Sequence, residues 1–204
     1  FGGRPGGPDA SDAINRALAS GYPVDLLGLN WYANNLVQDT NDQCLYSSQG
    51  FAQIIKNANG DLFTATGRNV QVWNVNARGD AATPVYTGHN IVATGDNFAL
   101  NNCGSRWAYA RAVKATGQHF QLYGTCDIYA TADQTASGYD LEIGISGTAT
   151  LYHQIHGYIS TASWGGALLI DTGSQTFNGC QFGKLDVTSG TSPAGVNTGF
   201  FSNC

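Results

Sequence analysis

Glu142 is the only glutamate in a chain of 204 residues, and Asp140 lies two positions before it. In an extended strand that spacing puts both side chains on one face, roughly 7 Å apart. Such a separation falls inside the window of about 6.5 to 9.5 Å between the acid and base of an inverting glycosidase. Asp171 is a third candidate acid, because it precedes Thr172 where related segments carry Ala65, Ala93 and Ala115, and no packing need explains it. Asp127 and Asp133 read as solvated turn carboxylates. His153 and His156 are three apart in a segment that reads as strand, a spacing that sends them to opposite faces and separates them as metal ligands. No calcium loop, nucleophile elbow, phosphate loop or dinucleotide fingerprint occurs, so neither metal nor cofactor is expected.

Sugar binding asks for less than sugar cleavage: aromatic faces for stacking and planar hydrogen-bonding groups at a surface. Trp107 and Tyr109 would share one face of an extended segment that Arg106 and Arg111 flank, Arg106 on the other face. The same set suits a contact between subunits, since Trp, Tyr and Arg are enriched in interface cores. Both readings stay open. Tyr158 and Trp164 are secondary candidates for either role.

Composition limits what can position these residues. Gly, Asn, Thr and Ser fill 75 positions, while Lys and Arg number 9, Asp and Glu 14, and the net charge is -5. Charged residues make up 11%, against about 25% in ordinary soluble domains. A helical bundle, a coiled coil and a nucleic-acid binder are therefore poor fits, whereas 42% hydrophobic residues suffice for a core. No apolar run approaches the ~20 residues needed to cross a bilayer, and no membrane insertion is expected. Five Cys without CxxC spacing read as reduced, buried thiols. No Asn-x-Ser/Thr sequon occurs, and a chain with no Met and no leader-like start is expected to be an excised piece of a longer polypeptide.

An internal repeat organises the sequence. Aligned on Thr-Gly, Leu62 to Val72, Asn90 to Leu100, Ala112 to Leu122 and Leu168 to Asn178 follow one template: a short apolar strand, Thr-Gly, two further residues and an alternating strand. A degenerate copy spans Glu142 to Leu151. Chance would supply about two or three Thr-Gly pairs, and six occur, at Gly67, Gly88, Gly95, Gly117, Gly173 and Gly199. Intervals of 28, 22, 30 and 26 residues, in units of strands and turns alone, point to a parallel β-helix. Val70, Phe98 and Phe120 should then stack inside the coil, as should Val72, Leu100 and Leu122. Asn69, Asn97, His119 and Gln175 share one template position and should form a polar ladder at the bend, with Gly supplying backbone conformations that other residues resist. The chirality of strand crossovers favours a right-handed coil.

An open coil must cap its strand edges. Ala10, Ile14, Ala17 and Leu18 fall on one helical face and Gly21 is a natural stop, so residues 1–22 read as a loop and capping helix and 23–204 as the β-helix. No comparable cap follows Gly199, which predicts that further sequence or other chains cover that end.

The opening Phe1-Gly2, Gly7, Asp12-Ala-Ile-Asn-Arg-Ala-Leu-Ala-Ser-Gly21, then Val24-Asp25-Leu26, Gly28 and Tyr32 resembles the start of pectate-lyase-like right-handed β-helix domains of bacteriophage tailspikes. Leu27 stands where that family usually has Pro. The motif covers roughly the first 32 residues, and secreted polysaccharide lyases, hydrolases and epimerases share it. The resemblance implies an all-β, single-stranded right-handed parallel β-helix, homotrimeric, on a virion tail. It would bind bacterial surface polysaccharide and meet other tail proteins through flanking sequence. Two alternatives remain: an endo-acting polysaccharide depolymerase using Asp140, Glu142 or Asp171, and a secreted monomeric enzyme of the pectin-lyase kind.

Overall fold

Each coil of the chain lays down three short strands and then stacks on the coil before it. The computed structural model describes residues 7, 9–80, 86–124, 126–130, 139–145, 153–159, 166–170, 172, 174–181, 183–188, 198–202 and 204. The first sheet runs β1 (Val24–Asp25), β4 (Cys44–Tyr46), β7 (Gln71–Trp73), β10 (Ala99–Asn101), β13 (Gln121–Tyr123), β16 (His153–His156), β19 (Ser174–Asn178), β21 (Thr198–Ser202). The second runs β2 (Asn30–Ala33), β5 (Ala52–Lys56), β8 (Val75–Arg78), β11 (Gly104–Ala108), β14 (Cys126–Ala130), β17 (Tyr158–Ile159). The third runs β3 (Leu36–Gln38), β6 (Phe63–Ala65), β9 (Ile91–Ala93), β12 (Val113–Ala115), β15 (Leu141–Gly144), β18 (Gly166–Ile170), β20 (Lys184–Thr188). All pairings among the described residues are parallel, as for Leu100 with Val72 and Leu122. The chain is thus a parallel β-sheet solenoid.

The interior follows the predicted ladders. Leu45, Val72, Leu100, Leu122, Ile155 and Phe177 are successive register partners, all nearly inaccessible to solvent. Beside them Val70, Phe98 and Phe120 are buried, and the two Phe rings lie 6.2 Å apart and nearly parallel, worth about 0.5 to 1.5 kcal/mol beyond area burial. The capping helix α1 (Ser11–Leu18) buries Ile14, Ala17 and Leu18. It is tied down from inside, because Gln43 Nε2 donates to Leu18 O at 2.7 Å and Tyr22 O at 2.9 Å. Leu27 has φ +55°, a backbone closed to proline, whose ring fixes φ near −65°; the departure from the tailspike pattern thus has a local cause.

Three expectations need correction. The glycines of Thr66-Gly67, Thr94-Gly95 and Thr116-Gly117 are not at positive φ. A Cβ at Gly95 would sit 2.0 Å from Gly67 O, and one at Gly117 would sit 2.1 Å from Gly95 O, so close approach of consecutive coils requires glycine there. The left-handed residues of the bend come two positions later: Asp42, Asn69, Asn97 and His119, at φ 56 to 59°. Strain of roughly 1–2 kcal/mol each is offset by rungs of about 1 kcal/mol, Asn69 Nδ2 donating to Asp42 Oδ1 at 2.6 Å and Asn97 Nδ2 to Asn69 Oδ1 at 2.8 Å. A second ladder joins Asn102 Nδ2 to Asn74 Oδ1 at 2.9 Å.

Gln175 is not part of that bend. Its register partner is His153, it is 3% exposed, and its amide donates to Thr172 Oγ1 at 2.6 Å; this coil takes one residue fewer between Thr172 and its strand. Nor are the thiols uniformly buried: Cys103 and Cys180 are, Cys44 is half-buried and Cys204 exposed.

Gly95→Ala should lower stability by about 2–3 kcal/mol. Gly50→Ala, at φ +90° with no atom within 4 Å of the added Cβ, should cost about 1 kcal/mol. Urea midpoints of the two variants check the order, and equal losses would contradict the close-approach account.

Candidate functional site

On the outer surface of the third sheet Thr64, Val92, Lys114, Glu142, Leu168 and Asp186 are successive register partners. Glu142 is 8% exposed. It accepts from Arg111 Nε at 2.9 Å and pairs with Lys114 Nζ at 3.0 Å. Burial opposes its ionisation, but the hydrogen bond and charge of Lys114, with those of Arg111, outweigh it and hold the carboxyl below its ordinary value. The surroundings are equally engaged. Tyr139 donates its hydroxyl to Asp186 and lies under Lys184 Nζ at 4.0 Å and Arg111 Cζ at 5.7 Å. His89 Nδ1 accepts from Arg111 N at 3.0 Å. Burial first, then the nearby Lys114 and Arg111, keep this imidazole below its usual pKa against the pull of Asp61 and Glu142.

Sequence reasoning brought Glu142 and Arg111 into consideration, and the fold joins them; it separates Glu142 from Asp140. Asp140 is 2% exposed and continues the buried corner column of Leu62, Asn90 and Ala112, all at 0%, one residue ahead of the Leu141–Val113 register. The predicted pair on a shared outer face is therefore corrected: one acid is ion-paired outside and the other is buried at the corner. Asp171 and Trp164 lie outside the described residues, as does Asp133, and of Asp127 only its place in β14 is described.

The aromatic segment differs too. The β11–β14 register slips between Arg106 and Ala108, and Trp107 takes φ +56°, so a bulge replaces the expected extended run. Trp107 carries Arg78 Cζ 4.3 Å from its ring centroid, and Arg78 Nη1 donates to Gln53 Oε1 at 3.1 Å. A bulky residue in the left-handed region costs of order 1–3 kcal/mol, partly offset by a cation–π contact of about 0.5–1 kcal/mol. Arg106 is exposed, Tyr109 exposed at 37%, and Arg111 half-buried toward Glu142. Tyr158 is 0% exposed, which corrects its assignment to a glycan or subunit surface: it fills the coil.

The outer surface of the first sheet was missed altogether. Gln71, Ala99, Gln121, Gln154 and Thr176 form one outward column, and Tyr46, Trp73, Asn101 and Tyr123 another. The His156 ring stacks on Tyr123 at 5.4 Å. Trp73 Nε1 donates to Gln71 Oε1 at 3.0 Å, and the Tyr123 hydroxyl bonds the Gln154 carbonyl oxygen. The repeat itself held the signal, since Trp73, Asn101 and Tyr123 each lie seven residues beyond the template threonine.

His153 and His156 do point to opposite faces, inward and outward. His153 is 1% exposed, and its Nδ1 accepts from Phe120 N at 3.2 Å. Burial, then His119, pushes its pKa down to about 4. Folding therefore favours the neutral ring, and the unfolded chain binds the extra proton between pH 6.5 and 4. Stability is full above that window and falls as pH drops through it, by on the order of 3 kcal/mol. His153→Phe, which extends the Phe98–Phe120 stack, should remove this part of the acid lability; denaturant titrations at neutral pH and near pH 4 check it, and an unchanged pH slope would refute it.

No family model and no curated protein matches this chain. Among solved structures, it is similar to tailspike protein 2 of the Escherichia coli O157:H7 bacteriophage CAB120, with a TM-score of 0.45 and 12% identity over 92% of this chain. The match takes in 34% of that protein, so the chain spans about a third of the tailspike's length.

Proposed function

We propose that the chain is a bacteriophage tailspike-like host-attachment protein: a right-handed, homotrimeric β-helix on the virion tail that binds bacterial surface polysaccharide. The opening motif supports it, because Asp12 to Leu18 folds into the cap of a parallel solenoid, as the family resemblance implies. The observation that carries it is how the side chains are divided. Glu142 is held by Arg111 and Lys114 and Asp140 is buried, while aromatic and amide groups stand outward in register on the first sheet. A glycosidase acid must hold its proton near working pH, and a carboxyl held below its ordinary value by two cations is poorly suited to that. That arrangement favours binding over cleavage through Glu142.

Light scattering should return a mass near three times 21.5 kDa; a stable monomer would argue against a tail spike. Incubated with host capsule or lipopolysaccharide, the protein should be retained on the polysaccharide and release no oligosaccharide. Release abolished by Glu142→Gln would establish the depolymerase instead.

A further inference from the structure

Along the first sheet the outward side chains are large on β7 and β13 and short on β10 between them. Gln71 and Trp73 stand on one side, Gln121 and Tyr123 on the other, and Ala99 and Asn101 lie directly between as their register partners. Strands in a sheet are about 4.8 Å apart, so the flanking strands are separated by about 9.6 Å. Ala99 is 5% exposed and already covered by its neighbours, whereas Asn101 is only half-buried, so the dip that stays open is a notch along β10 at Asn101, walled by Trp73 and Tyr123.

We propose that this notch binds one uncharged pyranose unit of a polysaccharide laid along β10, between Trp73 and Tyr123 and over Asn101. A sugar ring offers apolar C–H faces to aromatic walls and equatorial hydroxyls to planar amides that both donate and accept. The walls are braced beforehand: Trp73 is bonded to Gln71 at 3.0 Å, Tyr123 to Gln154, and Gln121 Nε2 to Asn97 Oδ1 at 3.2 Å, which reduces the ordering cost of binding. Trp73 is nevertheless 43% exposed and has surface to cover.

The ligand is neutral because the wall and floor residues carry neither an acid nor a lysine or arginine. A uronic or sialic acid would give up hydration there without a counter-charge. The outer surface of the second sheet, by contrast, has Arg78 and Arg106 in register, and that of the third has Lys114 and Glu142.

The proposal rests on the polysaccharide-attachment reading, and affinity electrophoresis of the full chain separates the two. The gels contain dextran, mannan or a neutral O-polysaccharide, and in parallel polygalacturonate. At least one neutral polymer should retard the protein, insensitively to salt. Trp73→Ala should weaken that retardation about tenfold or more, and so should Asn101→Tyr, which fills the notch with a good strand former. Val37→Ala, exposed on the third sheet, should leave it unchanged, with unfolding midpoints confirming that all variants fold. Retardation undiminished in both notch variants would overturn the notch and leave attachment standing, as would salt-sensitive binding to polygalacturonate alone. Loss of trimer mass in Trp73→Ala would make the surface a subunit contact and also overturn it. Retardation by no polymer would sink both readings.

Discussion

Consecutive coils approach so closely that the carbonyl of one occupies the space a Cβ would need on the next. At Gly67, Gly95 and Gly117 the intruding atom is a backbone oxygen at 2.0 to 2.4 Å, and backbone cannot swing aside as a side chain can. Everything else in the solenoid depends on that contact, because it locks one coil in register with the next. Once the bend is pinned, the strand that follows has no freedom to slip, and a slip of one residue would exchange its inner and outer side chains. The Thr-Gly pair is thus a register device, and the left-handed strain sits separately on Asp42, Asn69, Asn97 and His119. The side-chain ladder satisfies those bends as it passes from coil to coil.

Register also explains the interior gradient. The column beside the Leu45–Val72–Leu100 ladder begins with Gln43, becomes Val70, Phe98 and Phe120, and ends with His153 and Gln175. Gln43 contacts the cap, whose last carbonyls need donors; the apolar members fill the middle; His153 and Gln175 take up polar partners from Phe120 N and Thr172. Within this column, burial of apolar side chains, each worth about 1.5 to 3 kcal/mol, falls in the central coils, and its two later members make hydrogen bonds, whose net worth is nearer 1 kcal/mol each. Lys56 adds a buried titratable group at the second corner: burial pulls its pKa to about 8 against the charges of Asp61 and Asp80, and its ammonium is bonded to His89 O at 3.1 Å.

The repeat, the cap and the inner ladders were legible because hydrophobic identity and Gly spacing encode them directly. What was not legible depended on small departures from the period. One residue fewer after Thr172 moved Gln175 from the bend to the core, and one extra at Trp107 turned an alternating strand into a bulge. Asp140 and Glu142 looked like a pair at a spacing of two, but Asp140 precedes the strand and lies at a corner, where alternation no longer applies. The first-sheet surface escaped for another reason. Outward residues in a solenoid are free to vary, so Tyr46, Trp73, Asn101 and Tyr123 do not repeat one residue type, and their common place in the template is visible in spacing alone.

Three parallel sheets leave the chain three distinct outer surfaces. On the third, Arg111 and Lys114 meet Glu142 across coils, and Tyr139 donates to Asp186 while Lys184 lies over its ring. Those interactions satisfy each other and brace the stack, so the carboxylate most suited by type to catalysis is the one most committed to structure. On the second, Arg78 and Arg106 present cationic groups, Arg78 lying over the ring of the bulged Trp107. On the first, the outward residues from β7 to β13 are uncharged. On a sheet surface of this kind, concavity can come from side-chain size within a column. A short rung at β10 between tall rungs at β7 and β13 is the least costly way to make it. It changes no backbone hydrogen bond and keeps Leu100 in the core ladder.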